Sequence, residues 1–361
     1  MKCVMGFCLV AVVIWCSVSC SVQTSASSPE EIFETVWRTF DERYALFEVK
    51  SIDWENLGDE YRSQINATTG EEELFNIITG MLSHLNDNHV TLSAESLGRD
   101  FCAGFLGSYF NEIGFSAAME ILQQRPMPDI YFQTTPREVR DSGFLYGLVG
   151  DGIGYLHFGG FEDVDKSAEA VDEILEVFGD ARAMIVDVRH NSGGDDRVGK
   201  AIADRFADMK RLYMVTRDRN GPDHDNFAEP KYWHIEPAER TFTGPVVLLT
   251  SRLSLSAAEN FALAMKVLPH VTIVGDTTSG CFADNEWHDL PNGWRFSLSK
   301  NLFVDADGRC WEGEGVHPDI KVEGNGADGE VDPIVDFALD FLRSDASPPK
   351  DGSTSQEGVS G

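Results

Sequence analysis

The side chains able to do chemistry in this 361-residue chain cluster in four short stretches. The first is Thr250-Ser251-Arg252-Leu253-Ser254-Leu255-Ser256-Ala257-Ala258-Glu259, set between an apolar strand-like run and an apolar helix-like run. A serine hydroxyl at such a junction sits at a helix N-terminus, where unpaired N–H groups and the positive end of the dipole favour developing negative charge. Plain helix capping by Ser254 or Ser256 is the competing reading of this segment alone. The second stretch is Val186-Asp187-Val188-Arg189-His190-Asn191-Ser192-Gly193-Gly194-Asp195. Its glycines let backbone amides approach a ligand, or serve only a tight strand-to-helix turn. It lacks the Gly-Lys-Ser/Thr of a phosphate loop and the GxGxxG of a dinucleotide fold. The third is Asn88-His89, and the fourth is Trp311-Glu312-Gly313-Glu314-Gly315-Val316-His317-Pro318-Asp319-Ile320. A loop histidine is ordinarily a surface group, yet near neutral pH it is the side chain best suited to take a serine proton, given an oriented carboxylate partner. Asp305, Asp307, Gly308 and Glu314 imitate part of a calcium loop, but Phe303 fills the first ligand position and Asp305 to Arg309 reads as a β-turn. No HExxH, CxxC or Cys/His spacing points to zinc, so neither metal nor cofactor is expected.

These residues need elements to hold them. Ser28-Pro29-Glu30-Glu31 carries a capping box with proline in the first turn, and Ile32, Phe33, Val36, Trp37, Phe40 and Tyr44 follow on one helical face. Trp54, Leu57, Tyr61 and Ile65 predict a second helix, and Leu74, Phe75, Ile78, Met81, Leu82 and Leu85 a third. Residues 95 to 143 show no sustained period and are expected to be loops with short strands. Phe144 to Val149, Gly150-Asp151-Gly152 and Ile153 to Phe158 form a hairpin signal. A helix from Ser167 to Phe178, a strand Ala183 to Val188, a helix near Arg197 to Phe206 and a strand Arg211 to Val215 come next. A strand Pro245 to Thr250, a helix Ala257 to Val267 and a strand Val271 to Val274 complete an alternation that predicts an α/β core with mainly parallel strands. The run Asp332 to Leu342 reads as a helix packed on that core. From Ser344 onward the chain has no apolar anchors and reads as a disordered tail.

Composition narrows the partners. With 29 Lys+Arg against 60 Asp+Glu the net charge is −31, and no basic stripe is present, which argues against nucleic acid. Lys2 followed by an apolar run to Trp15 and then Ser17-Val18-Ser19-Cys20 reads as a secretory signal peptide, too short for a comfortable membrane span. Cys20 stands where a bacterial lipoprotein is cleaved and lipidated, so membrane attachment through Cys20 and plain release both remain open. Cys281 with Cys310 is a plausible disulfide outside the cytoplasm, and free buried thiols are the equal alternative.

Taken together, GYLHFGGF at 154 to 161, VDVRHNSGG at 186 to 194, TSRLSLSAAENFA at 250 to 262, IVGDTTSG at 273 to 280 and EGEGVHPDI at 312 to 320 resemble the tail-specific or tricorn-type serine peptidase family, which includes interphotoreceptor retinoid-binding protein. The resemblance implies a ClpP/crotonase-like β-α core behind a small N-terminal helical subdomain. It divides the chain into a signal peptide 1–20, helices 28–93, connecting loops and short strands 94–143, a peptidase core 144–343 and a tail 344–361. A peptide-binding PDZ insert is not expected, because residues 95 to 143 are too few. The middle serine of the family's S-x-S-x-x-E pattern is its nucleophile, and that position here is Ser256. The lysine that the tail-specific branch carries after its G-x-x-T-x-G turn is replaced by Cys281. The resemblance is therefore to the tricorn-like branch, whose Ser-His pair and glutamate correspond to Asn88, His89 and Glu312.

By that likeness His89 takes the Ser256 proton, Glu312 orients it directly or through Asn88, and the amides of Gly193 or Gly194 and of Ala257 form the oxyanion hole. A nearby Glu312 is expected to raise the His89 pKa above its ordinary value of about 6.5. Phe282, Trp287, Trp294 and Phe296 are either an apolar substrate pocket or core packing. The expected function is an exported, periplasmic, outer-membrane or secreted serine peptidase acting on a peptide or protein. The alternative is a non-catalytic protein of the same fold that binds an apolar ligand or peptide.

Overall fold

The capping box at Ser28 forms as its spacing predicts. In the computed structural model, Ser28 Oγ accepts the Glu31 N–H at 3.3 Å and Glu31 Oε2 accepts the Ser28 N–H at 3.0 Å. The structure describes residues 27–113, 127, 129–139, 143–324 and 331–344, so residues 1–20, read as a signal peptide, and 345–361, read as a disordered tail, lie outside the described residues. Helix α1 (Pro29–Arg43) buries Ile32, Phe33, Val36 and Phe40 and packs on α3 (Trp54–Arg62) and α4 (Glu71–Ser83). A single turn, α2 (Phe47–Lys50), lies between them and had no periodic signal because it is only four residues long. Helix α3 ends at Arg62, before the Ile65 that the apolar spacing had included.

The stretch expected to hold only loops and short strands also contains a helix. Strands β1 (Thr91–Ala94) and β2 (Arg99–Cys102) are followed by α5 (Phe105–Ile113). Gly107 weakens the helical signal in α5. It is nonetheless required, since a Cβ there would stand 2.1 Å from the Cys102 carbonyl oxygen. Strand β3 (Arg137–Val139) then precedes the hairpin of β4 (Phe144–Val149) and β5 (Ile153–Phe158).

The core alternates as expected. Helix α6 (Val164–Val177), β6 (Ala183–Asp187), α7 (Asp196–Asp204), β7 (Arg211–Asp218), β8 (Lys231–Ile235), β9 (Val246–Thr250), α8 (Ala257–Lys266) and β10 (Val271–Gly275) follow in order. Strands β11 (Asn285–Asp289), β12 (Arg295–Ser299), β13 (Asn301–Asp305) and β14 (Ile320–Lys321) precede the last helix, α9 (Pro333–Arg343). The main sheet has the order β14-β10-β9-β6-β5-β4-β3, parallel from β14 through β5 and antiparallel at β4 and β3. Val246 and Leu248 join the large core that includes α6, α7 and α8, whereas Val247 and Leu249 join the core under α9. A sheet covered on both faces has no polar side, hence the unbroken apolar strand VVLLT.

Two smaller sheets complete the structure. The Arg211 strand leaves the parallel series and forms an antiparallel sheet of order β13-β7-β8. The other has the order β11-β12-β1-β2, in which Thr91 pairs with Ser297 and Leu92 with Phe296. That pairing carries the loop before β1, and with it His89, against the C-terminal half of the chain.

Candidate active site

The loops that matter leave the C-terminal ends of β6, β9 and β10, where open parallel sheets gather their reactive groups. Beneath them a buried ion network fixes the first loop. The Arg189 guanidinium bonds Asp187 at 2.7 Å and Asp332, the cap of α9, at 2.8 Å, and the Tyr155 hydroxyl donates to Asp187. Despite full burial, that guanidinium holds the Asp187 carboxyl down at about 2. The hydroxyls of Ser251 and Ser254 donate to the carbonyls of Arg189 and Val188, which ties the β9 loop to the β6 loop. Ser254 is therefore a structural link between the two loops.

Ser256 caps α8 with φ 53° and ψ −121°, a backbone state that costs a non-glycine residue of order 1–3 kcal/mol and persists only where its surroundings impose it. Glu259 is one of those constraints. Fully buried, it accepts the Ser256 N–H at 3.2 Å, the Cys281 N–H at 2.8 Å, the Gly280 N–H at 2.7 Å and the Thr278 hydroxyl at 2.6 Å. The pattern letter that closes S-x-S-x-x-E is thus a knot between the serine turn and the turn after β10.

Gly193 and Gly194 lie at φ 91° and 136°, and a Cβ on Gly193 would stand 2.8 Å from Ser256 Cβ. The two glycine amides differ. The Gly193 N–H donates to Asn191 Oδ1 at 2.8 Å, so this member of the expected oxyanion hole is already engaged. Among the described residues, no protein acceptor takes the Gly194 N–H or the Ala257 N–H, the latter belonging to the open first turn of α8.

The His89 peptide is gripped on both sides: its N–H donates to Asp87 Oδ1 at 2.8 Å and its carbonyl accepts from Ser297 Oγ at 2.6 Å. The Ala283 backbone favours the protonated ring, and Nδ1 is buried without a partner. Burial lowers the His89 pKa below its ordinary 6.5 and outweighs the upward pull of Asp87 and Asp284. This corrects the expectation of a raised value, because desolvation is the larger effect. Glu312 is buried as well. Its Oε2 accepts the Phe282 N–H at 2.8 Å and the Ala283 N–H at 3.3 Å, and its Oε1 has no partner. Burial above all, with Asp87 and Glu259 nearby and only partly offset by Lys50 and the Phe282 amide, pushes its pKa up to about 8.

Asn88 does not form the bridge foreseen for it. Its Nδ2 donates to Ser279 Oγ at 2.9 Å and its Oδ1 accepts the Leu106 N–H at 2.9 Å, so its side chain braces α5 against the turn after β10. Cys281, in the place of the absent lysine, is buried, and desolvation with Glu259 and Glu312 nearby drives its pKa well above the ordinary thiol value. It is a neutral thiol, and Cys281 and Cys310 are both free rather than bridged. Phe282, Trp294 and Phe296 are core, while Trp287 is 47% exposed under Arg295. Among the described residues no cluster of His, Cys, Asp and Glu could hold a metal ion, and no helix is long and apolar enough to cross a membrane. Sequence reading missed Asp87, Ser279 and the knot at Glu259; the polar loop Asn86-Asp87-Asn88-His89 was the one local signal for the first.

Comparison with known proteins gives this arrangement its class. The model of peptidase family S41 matches residues 152–322, and that of the tricorn protease C1 domain matches residues 25–83. A crystal structure from Parabacteroides merdae, described as a candidate peptidase, is 30% identical with a TM-score of 0.73, covering 89% of this chain and 100% of that one. The chain belongs to peptidase family S41, on the tricorn-like side, and has the α/β fold of that family. The carboxy-terminal processing protease CtpB of Bacillus subtilis is 22% identical over 66% of this chain, and CtpA of the same organism 28% identical over 47%. The chain spans 48% of the length of the first and 35% of the second.

Proposed function

We propose that the protein is an exported serine peptidase in which Ser256 is the nucleophile, His89 the base and Glu312 the carboxylate that acts on the base. The observation that carries this reading is Ser256 itself: a non-glycine residue held at positive φ on a helix N-terminus, beside two unclaimed amides. An outlier of this kind is an argument for function, because packing alone would favour a glycine or a relaxed cap. The neutral His89 ring takes the Ser256 proton as Oγ attacks the substrate carbonyl carbon. The Gly194 and Ala257 amides receive the oxyanion, and the leaving amine takes the proton as the acyl-enzyme forms. Water, deprotonated in turn by His89, then releases the acyl group. Glu312 acts from the Phe282–Ala283 backbone, whose amides its Oε2 accepts, and its unpartnered Oε1 is left to receive a donor when the imidazolium forms.

Fluorophosphonate labelling and hydrolysis of a fluorogenic peptide library test the assignment. Both should be lost in Ser256→Ala with the melting profile unchanged; equal labelling of variant and parent refutes it and favours a ligand-binding role. Export rests on Lys2 to Cys20. Mass spectrometry of the mature N-terminus should show cleavage in that segment, with an acylated Cys20 marking the lipoprotein form and an intact Met1 refuting export.

A further inference from the structure

Three elements far apart in the chain converge on one buried carboxylate behind the base. Asp87 is 1% exposed. Its Oδ2 accepts the Tyr44 hydroxyl at 2.9 Å from the end of α1 and the Ser299 hydroxyl at 2.8 Å from the end of β12. Its Oδ1 holds the His89 N–H. From α2, Lys50 Nζ donates to the carbonyl of Asn86, which sits at φ 42°. We propose that Asp87 is a positioning residue for the reaction: with Tyr44 and Ser299 it locks the His89 peptide, and its charge stands behind the His89–Glu312 pair to favour the imidazolium formed when Ser256 gives up its proton. The proposal rests on the reading of His89 as the base.

A turn alone does not explain Asp87. Asparagine closes the same turn to the His89 amide without the cost of desolvating a charge, which makes a buried carboxylate here an expensive choice for a purely local bond. Its two other donors are neutral hydroxyls, so the charge is hydrogen-bonded yet not cancelled. What the charge does reach is the site, where it raises the affinity of both His89 and Glu312 for a proton. The other charged groups facing the pair are Asp284 on the His89 side and Lys50 and Glu259 on the Glu312 side. Burial keeps Tyr44, Cys281 and Cys310 neutral through the working range.

The test is Asp87→Asn, which keeps the acceptor for the His89 amide and lets both hydroxyls turn to accept, so that only the charge is lost. With the fold checked by circular dichroism and the Ser256→Ala variant run beside it, kcat at pH 9, where Glu312 is largely ionised with or without the Asp87 charge, should fall at least tenfold with KM within twofold. The limbs of the pH–rate profile should move at least half a unit toward acid, a shift that a merely structural residue would not produce. A folded Asp87→Asn protein with parental kcat, or with lower kcat and unmoved limbs, overturns the proposal. Should Asp87→Asn fail to fold, Tyr44→Phe and Ser299→Ala loosen the same carboxylate singly. Each should lower kcat severalfold at unchanged KM, and parental kcat in both overturns it. Continued hydrolysis by Ser256→Ala would instead bring down the nucleophile reading, and with it the role given to Asp87.

Discussion

Replacing Glu312 by Gln separates the two carboxylate roles most sharply. The Glu312 carboxyl titrates at about 8, so at pH 7 roughly one molecule in ten carries it ionised, and at pH 9 roughly nine in ten. If the ionised form stabilises the imidazolium, kcat/KM of the parent rises about tenfold between pH 7 and pH 9. Burial lowers the His89 pKa below 6.5, so that ring is already neutral across this window and adds no limb of its own there. Glu312→Gln keeps an acceptor for the Phe282 and Ala283 amides but cannot ionise, so its profile should be level above pH 7 and its rate at pH 9 at least tenfold below the parent. Peptide hydrolysis at saturating and sub-saturating substrate from pH 5.5 to 9.5 supplies both profiles. A parent profile that is flat from pH 7 to 9, or a tenfold rise that survives in Glu312→Gln, refutes the reasoning. Stability gives a second reading of the same group. Because its folded pKa lies above the ordinary 4.5, the native state binds the extra proton between about 4.5 and 8, and stability falls as pH rises through that window, by at most about 5 kcal/mol. Urea midpoints at pH 6 and pH 9 should therefore separate in the parent and draw together in Glu312→Gln.

Three further outcomes follow from the contacts around Ser256. Glu259→Ala strands three buried donors and the half-buried Ser256 N–H at once and should cost about 3–5 kcal/mol in urea unfolding, whereas a loss under about 1 kcal/mol would show the knot to be dispensable. Gly194→Ala puts a Cβ 2.0 Å from the Phe161 carbonyl oxygen and moves the proposed oxyanion donor, so labelling of Ser256 by fluorophosphonate should slow at least a hundredfold. Cys281→Ala removes a neutral buried thiol and should leave kcat within about threefold of the parent; a loss comparable to His89→Ala would give Cys281 a part in the chemistry.

Local signals made α1, the β4–β5 hairpin and the central strand β9 legible from residues alone: the capping box at Ser28, the turn around Gly150 to Gly152 and the unbroken apolar run Val246 to Thr250 each report a rule that acts within a few residues. Helix α5 escaped because Gly107, chosen for its closeness to Cys102, erases the propensity that would have announced it. The two glycines of the turn after β6 look identical in sequence. Only the Asn191 side chain, curled back onto the Gly193 amide, decides that the other amide is the open one.

The same distinction explains why the serine was easier to find than the machinery behind it. Ser256 lies where its own segment puts it, at the seam of β9 and α8, although that segment alone left plain capping open and only the family resemblance singled this serine out. His89 and Asp87 are placed by the pairing of β1 with β12, which delivers Ser297 and Ser299 from more than 200 residues away, while Tyr44 arrives from the end of α1. With the base and nucleophile as proposed, one half of the chain supplies the base and the other the nucleophile, and the two are correctly placed only once that sheet has formed. The proposed activity is therefore tied to the docking of the N-terminal helices on the core. Destabilising that contact away from the site, for instance by Phe40→Ala, which removes a ring stacked on Phe296, should lower kcat at denaturant concentrations where the core is still folded. Loss of activity that coincides with global unfolding in both parent and variant would refute this coupling.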